Sequence, residues 1–407
     1  MGPIRRFRQA RAIDVEGRAH MERDIYDEDH EAFRDVVKEF VKRYVTNEAI
    51  ARWDADGEID RDTMKAAGES GLIGLSVPEE FGGAGMLQDY RFRAIVMEEV
   101  IAAGSGSLAG AFGIQDDLAV PYLVHMGTQE QKEKWLPGMA TGEVIGALAM
   151  TEPGAGSDLR GIKTTAKKVD GGYIVNGAKT FISSGKTADL VVTFVKTGEG
   201  NRPDAFSLLL IENGMAGFDH GKKLHKMGFH GHDTAELSFS DVFVPEENLI
   251  SGREGMGFVQ LMMNLPLERM SIGVAGAAAA QAALDWTLAY TKDREAFGER
   301  IADFQNTRFR LADMAASVEA LWAYTDRVMR AYKDSKLSAE EAAKYKFWAT
   351  EREWEVLDLG VQLHGGYGYI TEYPIARAFL DARVHRIYGG TNEIMREIVG
   401  RDLAGKR

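Results

Sequence analysis

The hydrophobic period changes twice along this chain, from helical to strand-like and back, and that switch constrains the fold more than any single motif. Over residues 29–47, Phe33, Val36, Val37, Phe40, Val41, Tyr44 and Val45 recur at helical spacing and predict one amphipathic helix. A shorter helix is expected from about Arg61 to near Gly71, then a Gly-rich loop over 81–85. Helical segments cover about 90–103 and 107–126, and Thr128 with Gln131 has the spacing of a capping box that opens another. From about 143 to 250 the apolar runs have strand length, at 144–150, 190–195, 206–211 and 235–239. Two hairpin signals lie among them, Asp170-Gly171-Gly172 and Asn176-Gly177. A turn-rich junction over 245–257 leads back to long helices at 256–290 and 304–332, and from Ser338 to near Gly365. Gly273, Gly276 and the alanines 277–280 let helices approach closely, and Ser338 with Glu341 has capping-box spacing. The pattern predicts an α+β, mainly helical fold: a polar arm over 1–24, a helical domain over 25–142, a β domain over 143–250 and a helical domain over 251–407.

Composition narrows the function. The chain has 407 residues, enough to bury a large core, with 27% charged and 45% hydrophobic residues, the balance of a soluble globular protein. A net charge of −13 argues against nucleic acid as the main partner. An anionic ligand would need local basic groups or backbone donors. With no cysteine, disulfides, thiol catalysis and Cys-ligated zinc are excluded. No apolar run approaches membrane-spanning length, so no membrane insertion is expected. In the arm, Asp14 and Glu16 interrupt the basic Arg5, Arg6, Arg8 and Arg11, and no apolar segment follows. Neither a signal peptide nor a transit peptide is expected.

Chemistry concentrates in residues 148–185. A strand-length run enters a tight turn over 151–158 that offers backbone N–H groups and the hydroxyls of Thr151 and Ser157. Glycine in such a turn permits positive φ and close approach of a ligand to the backbone. Successive N–H groups can form an anion-binding concavity. With Phe181 alongside, a planar, polar-edged cofactor could lie there. The same residues also fit a Gly-rich connection in a structural barrel.

TEPGAGSDLRG at 151–161 and QLHGGYGYITEYPIARAFLD at 362–381 resemble the two signatures of the acyl-CoA dehydrogenase family. The segment 294–305, with Phe297, Gly298 and Phe304, resembles that family too. The resemblance spans nearly the whole chain. It implies an N-terminal helical domain, a middle β-barrel domain and a C-terminal four-helix bundle, assembled as a homotetramer. It also implies FAD as cofactor and an acyl-CoA as substrate. By resemblance Met150, Thr151, Gly156 and Ser157 meet the flavin, and Phe181, Ile182 and Ser183 lie along its ring. Arg294, Phe297 and Gln305 reach the FAD of a neighbouring subunit, beside Gln362, Leu363, Gly365 and Gly366, and Thr391 and Glu393 close the site. Taken alone, Arg294 is equally a solvated helix-end charge, and Gly365 with Gly366 a helix terminus.

Dehydrogenation across Cα–Cβ of a thioester needs a carboxylate to take the α proton while the β hydrogen leaves as hydride to the flavin. Many members carry that Glu in a Tyr-Glu-Gly-Thr run, where this chain has Tyr388-Gly389-Gly390-Thr391. Long-chain and isovaleryl members place it on a helix of the C-terminal domain, at the stretch matching Leu265-Pro266-Leu267-Glu268-Arg269. Glu268 is therefore the expected base, although by itself it reads as an exposed helix glutamate. Pro266 is expected to kink or widen that helix. The resemblance puts Arg269, Gly389 and Gly390 on the substrate side and Ser157 near the pantetheine, with the Gly389 N–H on the thioester carbonyl. It implies the long-chain branch, trans-2-enoyl-CoA as product and an electron-transfer flavoprotein as electron acceptor. The expected location is the cytoplasm, or the mitochondrial matrix for a eukaryotic source. An oxygen-using acyl-CoA oxidase and a catalytically silent acyl-CoA-binding subunit are the alternatives.

Overall fold

The computed structural model describes residues 23–405. The expectations for the arm over residues 1–22 lie outside the described residues. Arg23, assigned to the polar arm, is anchored on the helices. It pairs with Glu98 at 2.7 Å and Asp326 at 2.6 Å and stacks on Trp322.

The helix expected over 29–47 is α1 (Glu28–Tyr44), and a second helix that the apolar spacing did not announce, α2 (Asn47–Asp56), follows it directly. Thr46 leaves helical geometry and its side chain accepts from the Ala49 N–H, starting a new helix. α2 buries Ala49, Ile50 and Trp53. Next come α3 (Arg61–Glu69), α4 (Arg91–Ala102) and α5 (Gly106–Gly113). A π-helical turn, Ile114–Ala119, joins α5 to α6 (Val120–Met126), and the Thr128–Gln131 capping box opens α7 (Gln129–Thr141).

The middle of the chain is one curled seven-stranded sheet. Its strands are β1 (Gly146–Ala149), β2 (Thr165–Val169), β3 (Gly172–Ser183), β4 (Leu190–Lys196), β5 (Phe206–Glu212), β6 (Phe218–Lys223) and β7 (Thr234–Pro245). The order is β1-β4-β2-β3-β7-β6, with β5 also paired to β4. The Asp170-Gly171 turn closes the β2–β3 hairpin as expected. Asn176-Gly177 makes no hairpin. It is a bulge inside continuous β3, whose two halves both pair with β7. Asn176 is tied to Asp241 side chain to side chain at 2.9 Å, and Gly177 has φ 149 with a Cβ position only 2.5 Å from Thr164 Oγ1. The dipeptide serves close backbone approach rather than chain reversal.

The C-terminal part contains α8 (Gly257–Asp293), a short hairpin of β8 (Glu295–Ala296) and β9 (Glu299–Arg300), then α9 (Gln305–Lys333) and α10 (Ala339–His364). The second signature begins in the last turn of α10 and ends in α11 (Pro374–His385), and α12 (Asn392–Leu403) follows. Ser338 caps α10, but Glu341 bonds Lys344 rather than closing the capping box. α8 runs as α-helix through Pro266, so the expected widening is not there. The widened turn is the π turn, which packs against α8. The small residues of α8 admit α10 closely: a Cβ on Gly273 would lie 2.2 Å from the Tyr345 ring. Among the described residues no helix is long and apolar enough to cross a membrane.

Candidate active site

α8 presents Glu268 to the protein interior. The residue is 2% exposed, which excludes the exposed-glutamate reading. Its Oε1 accepts a hydrogen bond from the Tyr122 hydroxyl of α6 at 2.9 Å. Burial pushes the carboxyl up to about 7, against the opposing pull of that bond and of Arg269, and Asp117 of the π turn pushes it further. Asp117 is itself buried, paired with Arg93 of α4 at 3.2 Å and bonded by the Tyr90 hydroxyl at 2.9 Å. Burial raises Asp117 to about 6 despite Arg93. A π turn re-aims side chains relative to an α-helix, and here it drives two acidic residues, Asp116 and Asp117, into the core.

The loop between α11 and α12 lies on the same face of α8. Ile272 is one turn beyond Glu268, and a Cβ on Gly389 would lie 2.4 Å from its Cδ1. The Arg269 Nε donates to the Gly389 carbonyl at 3.5 Å. Lys346, buried on α10, donates to the Gly390 carbonyl at 2.9 Å and to Asn392 Oδ1 at 3.1 Å. Burial, with Arg269 nearby, lowers its ammonium to about 7. Gly389 and Gly390 have φ of 62° and 92°, so the loop depends on glycine there. Their N–H groups donate to nothing among the described residues. Thr391 caps α12 through a bond from the Ile394 N–H at 3.3 Å, and Glu393 lies exposed in the first turn of that helix.

A second group surrounds the turn after β1. Thr180 N–H donates to the Thr151 carbonyl at 2.9 Å, which sets the turn against β3. Buried Lys179 donates to the Met150 carbonyl at 3.0 Å and to Glu152 at 2.9 Å, and Glu152 also accepts from the Lys163 and Thr164 N–H groups. Gly156 and Ser157 are exposed, with open space where a Gly156 Cβ would stand. Phe181 is 67% exposed at φ 60, while Ile182 turns its side chain into the sheet core and Ser183 is half-buried. An open aromatic face beside hydroxyls and uncharged backbone donors suits a planar, polar-edged ring such as a flavin.

A third group lies where α8, α9 and α10 end or begin. Arg294, Gln305, Gln362, Gly365 and Gly366 are exposed, Leu363 is partly buried and Phe297 is 98% exposed. The Arg294 guanidinium lies 5.9 Å from the Tyr367 ring centre. Among described residues no hydrogen bond, ion pair or ring contact joins this group to the turn over 151–157.

The sequence reasoning missed Tyr122, Asp117, Lys346, Glu152 and Lys179. Two acidic residues inside the apolar run around 111–123 were the available signal for Asp117. Glu152 stood inside the first signature, but its partner Lys179 is set only by the packing of the turn after β1 against β3.

Three family models match the chain. Acyl-CoA dehydrogenase, N-terminal domain, covers residues 27–143; the middle domain covers 147–242; the C-terminal domain covers 255–404. The mitochondrial long-chain specific acyl-CoA dehydrogenase of Mus musculus is 41% identical over 383 residues, 94% of this chain and 88% of the relative. The mitochondrial isovaleryl-CoA dehydrogenase of Arabidopsis thaliana is 39% identical over 381 residues, 93% of this chain and 92% of the relative. Among solved structures, the acyl-CoA dehydrogenase of Geobacillus kaustophilus superposes with TM-score 0.89 at 42% identity, over 93% of this chain and 98% of that one. A glutaryl-CoA dehydrogenase of Mycobacterium smegmatis in complex with FADH2 superposes with TM-score 0.86 at 25% identity, over 94% and 96%.

Proposed function

The chain belongs to the acyl-CoA dehydrogenase family and is an oxidoreductase acting on the CH–CH bond of an acyl-CoA; from that premise we propose that Glu268 is its base and FAD its cofactor. The observation that carries the reading is a wholly buried carboxylate raised to about 7, on the face of α8 that meets Gly389. A base is most effective when its pKa lies near the working pH. Glu268 takes the α proton, and its burial keeps water from competing for that contact. The free N–H of Gly389 suits the thioester carbonyl, where it would stabilise the developing enolate. Arg269 and Lys346 donate to the carbonyls of Gly389 and Gly390, and so hold the loop that carries that N–H.

Bound FAD would supply the acceptor for the β hydrogen as hydride, giving trans-2-enoyl-CoA, and pass the electrons to an electron-transfer flavoprotein. The residues to hold it are Met150, Thr151, Gly156 and Ser157, with Phe181 and Ser183 along the ring and Ile182 acting through its backbone. Arg294, Phe297 and Gln305 serve the FAD of a neighbouring subunit in a homotetramer, with Gln362, Leu363, Gly365 and Gly366. The exposure of Arg294, Phe297 and Gln305 in the single chain supports that role. Thr391 and Glu393 close the site, and Ser157 also meets the pantetheine. The compartment follows the source: cytoplasm in a bacterium, the matrix in a eukaryote.

The test is anaerobic titration of purified protein with saturated acyl-CoAs of graded length and branching. The reading predicts bleaching of the flavin and slow reoxidation in air. Fast reoxidation would identify an oxidase, and no bleaching with any acyl-CoA would identify a silent binding subunit.

A further inference from the structure

Among the described residues, one group donates a hydrogen bond to the Glu268 carboxylate, the Tyr122 hydroxyl at 2.9 Å. No lysine or arginine there lies within ion-pair distance of it. Tyr122 is wholly buried, and its ring sits in the apolar cluster with Val77, Leu123 and Leu136, which fixes where the hydroxyl points. We propose that Tyr122 is the positioning residue of this site: its hydroxyl holds the ionised carboxylate of Glu268 in one orientation and favours that form over the acid. The proposal rests on Glu268 being the base.

The chemistry has a definite sign. A hydrogen bond donated to a carboxylate stabilises the charged form. Burial raises the Tyr122 phenol well above its ordinary value, so it remains a donor at every pH of interest. The other groups facing Glu268 divide. Asp117, from the π turn, opposes ionisation, and Arg269, on α8 itself, favours it. Arg93 of α4 is engaged by Asp117, and Lys346 of α10 faces Arg269. His125 of α6 bonds Asn264, one turn before Glu268, and Asn264 lies against the Tyr122 hydroxyl. Among these groups, the phenol is the one that touches the carboxylate.

The test compares wild type, Tyr122→Phe and Glu268→Gln as holoenzymes. The pH dependence of kcat/KM for an acyl-CoA reports the free-enzyme base. Tyr122→Phe should move the acid limb up by about one to two pH units, the size expected for a lost hydrogen bond to an ionised group. At pH 6 that is a loss of roughly tenfold per unit. A merely structural Tyr122 would lower FAD content or melting temperature and leave the limb in place, which overturns the proposal. A second measurement needs no change at residue 122. In the infrared difference between wild type and Glu268→Gln, a tyrosine C–O band should shift at the pH where the Glu268 carboxyl band disappears. A carboxyl that titrates without a tyrosine shift also overturns the proposal. Near-wild-type kcat/KM in Glu268→Gln would overturn the base reading and this proposal with it. A slow Gln variant with an unmoved limb in Tyr122→Phe overturns the proposal alone.

Discussion

Replacing Glu268 with Gln should stabilise the protein, and only above acid pH. Burial pushes the folded carboxyl up to about 7, against 4.5 as its ordinary value. Between those values the folded chain keeps a proton that the unfolded chain has released. Stability of the wild type therefore falls as pH rises through that window. The penalty is absent below the unfolded value and complete above the folded one. At about 1.36 kcal/mol per unit, a gap of about 2.5 units gives a penalty of about 3 kcal/mol. With an unfolding entropy of about 2.1 cal/mol/K per residue over a chain of this size, that corresponds to about 3–4 °C in melting temperature. Gln carries no such penalty, and its amide oxygen can still accept from Tyr122. The assay is thermal unfolding of both proteins at matched FAD content, from about pH 5 to about pH 8.5. The variant should melt within about 1 °C of wild type at the acid end and about 3–4 °C higher at the alkaline end. A difference that does not change with pH, or a less stable variant at alkaline pH, would refute the reasoning.

Two further predictions follow from the geometry. Glu152→Ala leaves Lys179 buried without its counter-charge and two N–H groups without an acceptor; breaking such a buried pair costs about 3–5 kcal/mol. Melting temperature and FAD retention through gel filtration should both drop, and unchanged values would contradict the role given to the turn. Moving the base in Glu268→Gly/Gly389→Glu should reduce flavin faster than Glu268→Gly alone but slower than wild type, because φ at residue 389 is 62° and a side chain there is strained by about 1–3 kcal/mol. Adding Ile272→Val removes the Cδ1 atom that lies 2.4 Å from the new Cβ and should improve the rescue; stopped-flow reduction no faster than the single Gly variant would sink the idea.

The order of helices, sheet and helices was legible because the apolar period itself changes at the edges of the sheet. Local signals held where they were self-contained, as in the Thr128–Gln131 capping box and the turn before Gly172. They misled where a distant strand or cap decided the outcome. Asn176-Gly177 has hairpin chemistry, but β7 pairs along both sides of it and keeps the strand running. α1 ends at Tyr44, short of the expected 47, because the Thr46 cap starts a new helix while buried Val45 keeps the apolar spacing going. Glu268 was reached through family likeness, since sequence periodicity does not distinguish a buried glutamate from a solvated one. Its burial comes from α6, the π turn and α4, all more than a hundred residues away in sequence. Tyr122, Asp117 and Lys346 were missed for the same reason: each is an ordinary helix residue until the packing places it.

The central claim is that Glu268 removes the α proton. Its most direct test is single-turnover flavin reduction by a saturating acyl-CoA, under anaerobic conditions, in wild type and Glu268→Gln with equal FAD content and equal acyl-CoA binding. Loss of a positioned base predicts reduction about 10²–10⁴ slower in the variant. Reduction at near the wild-type rate would contradict the claim and move the search to another carboxylate.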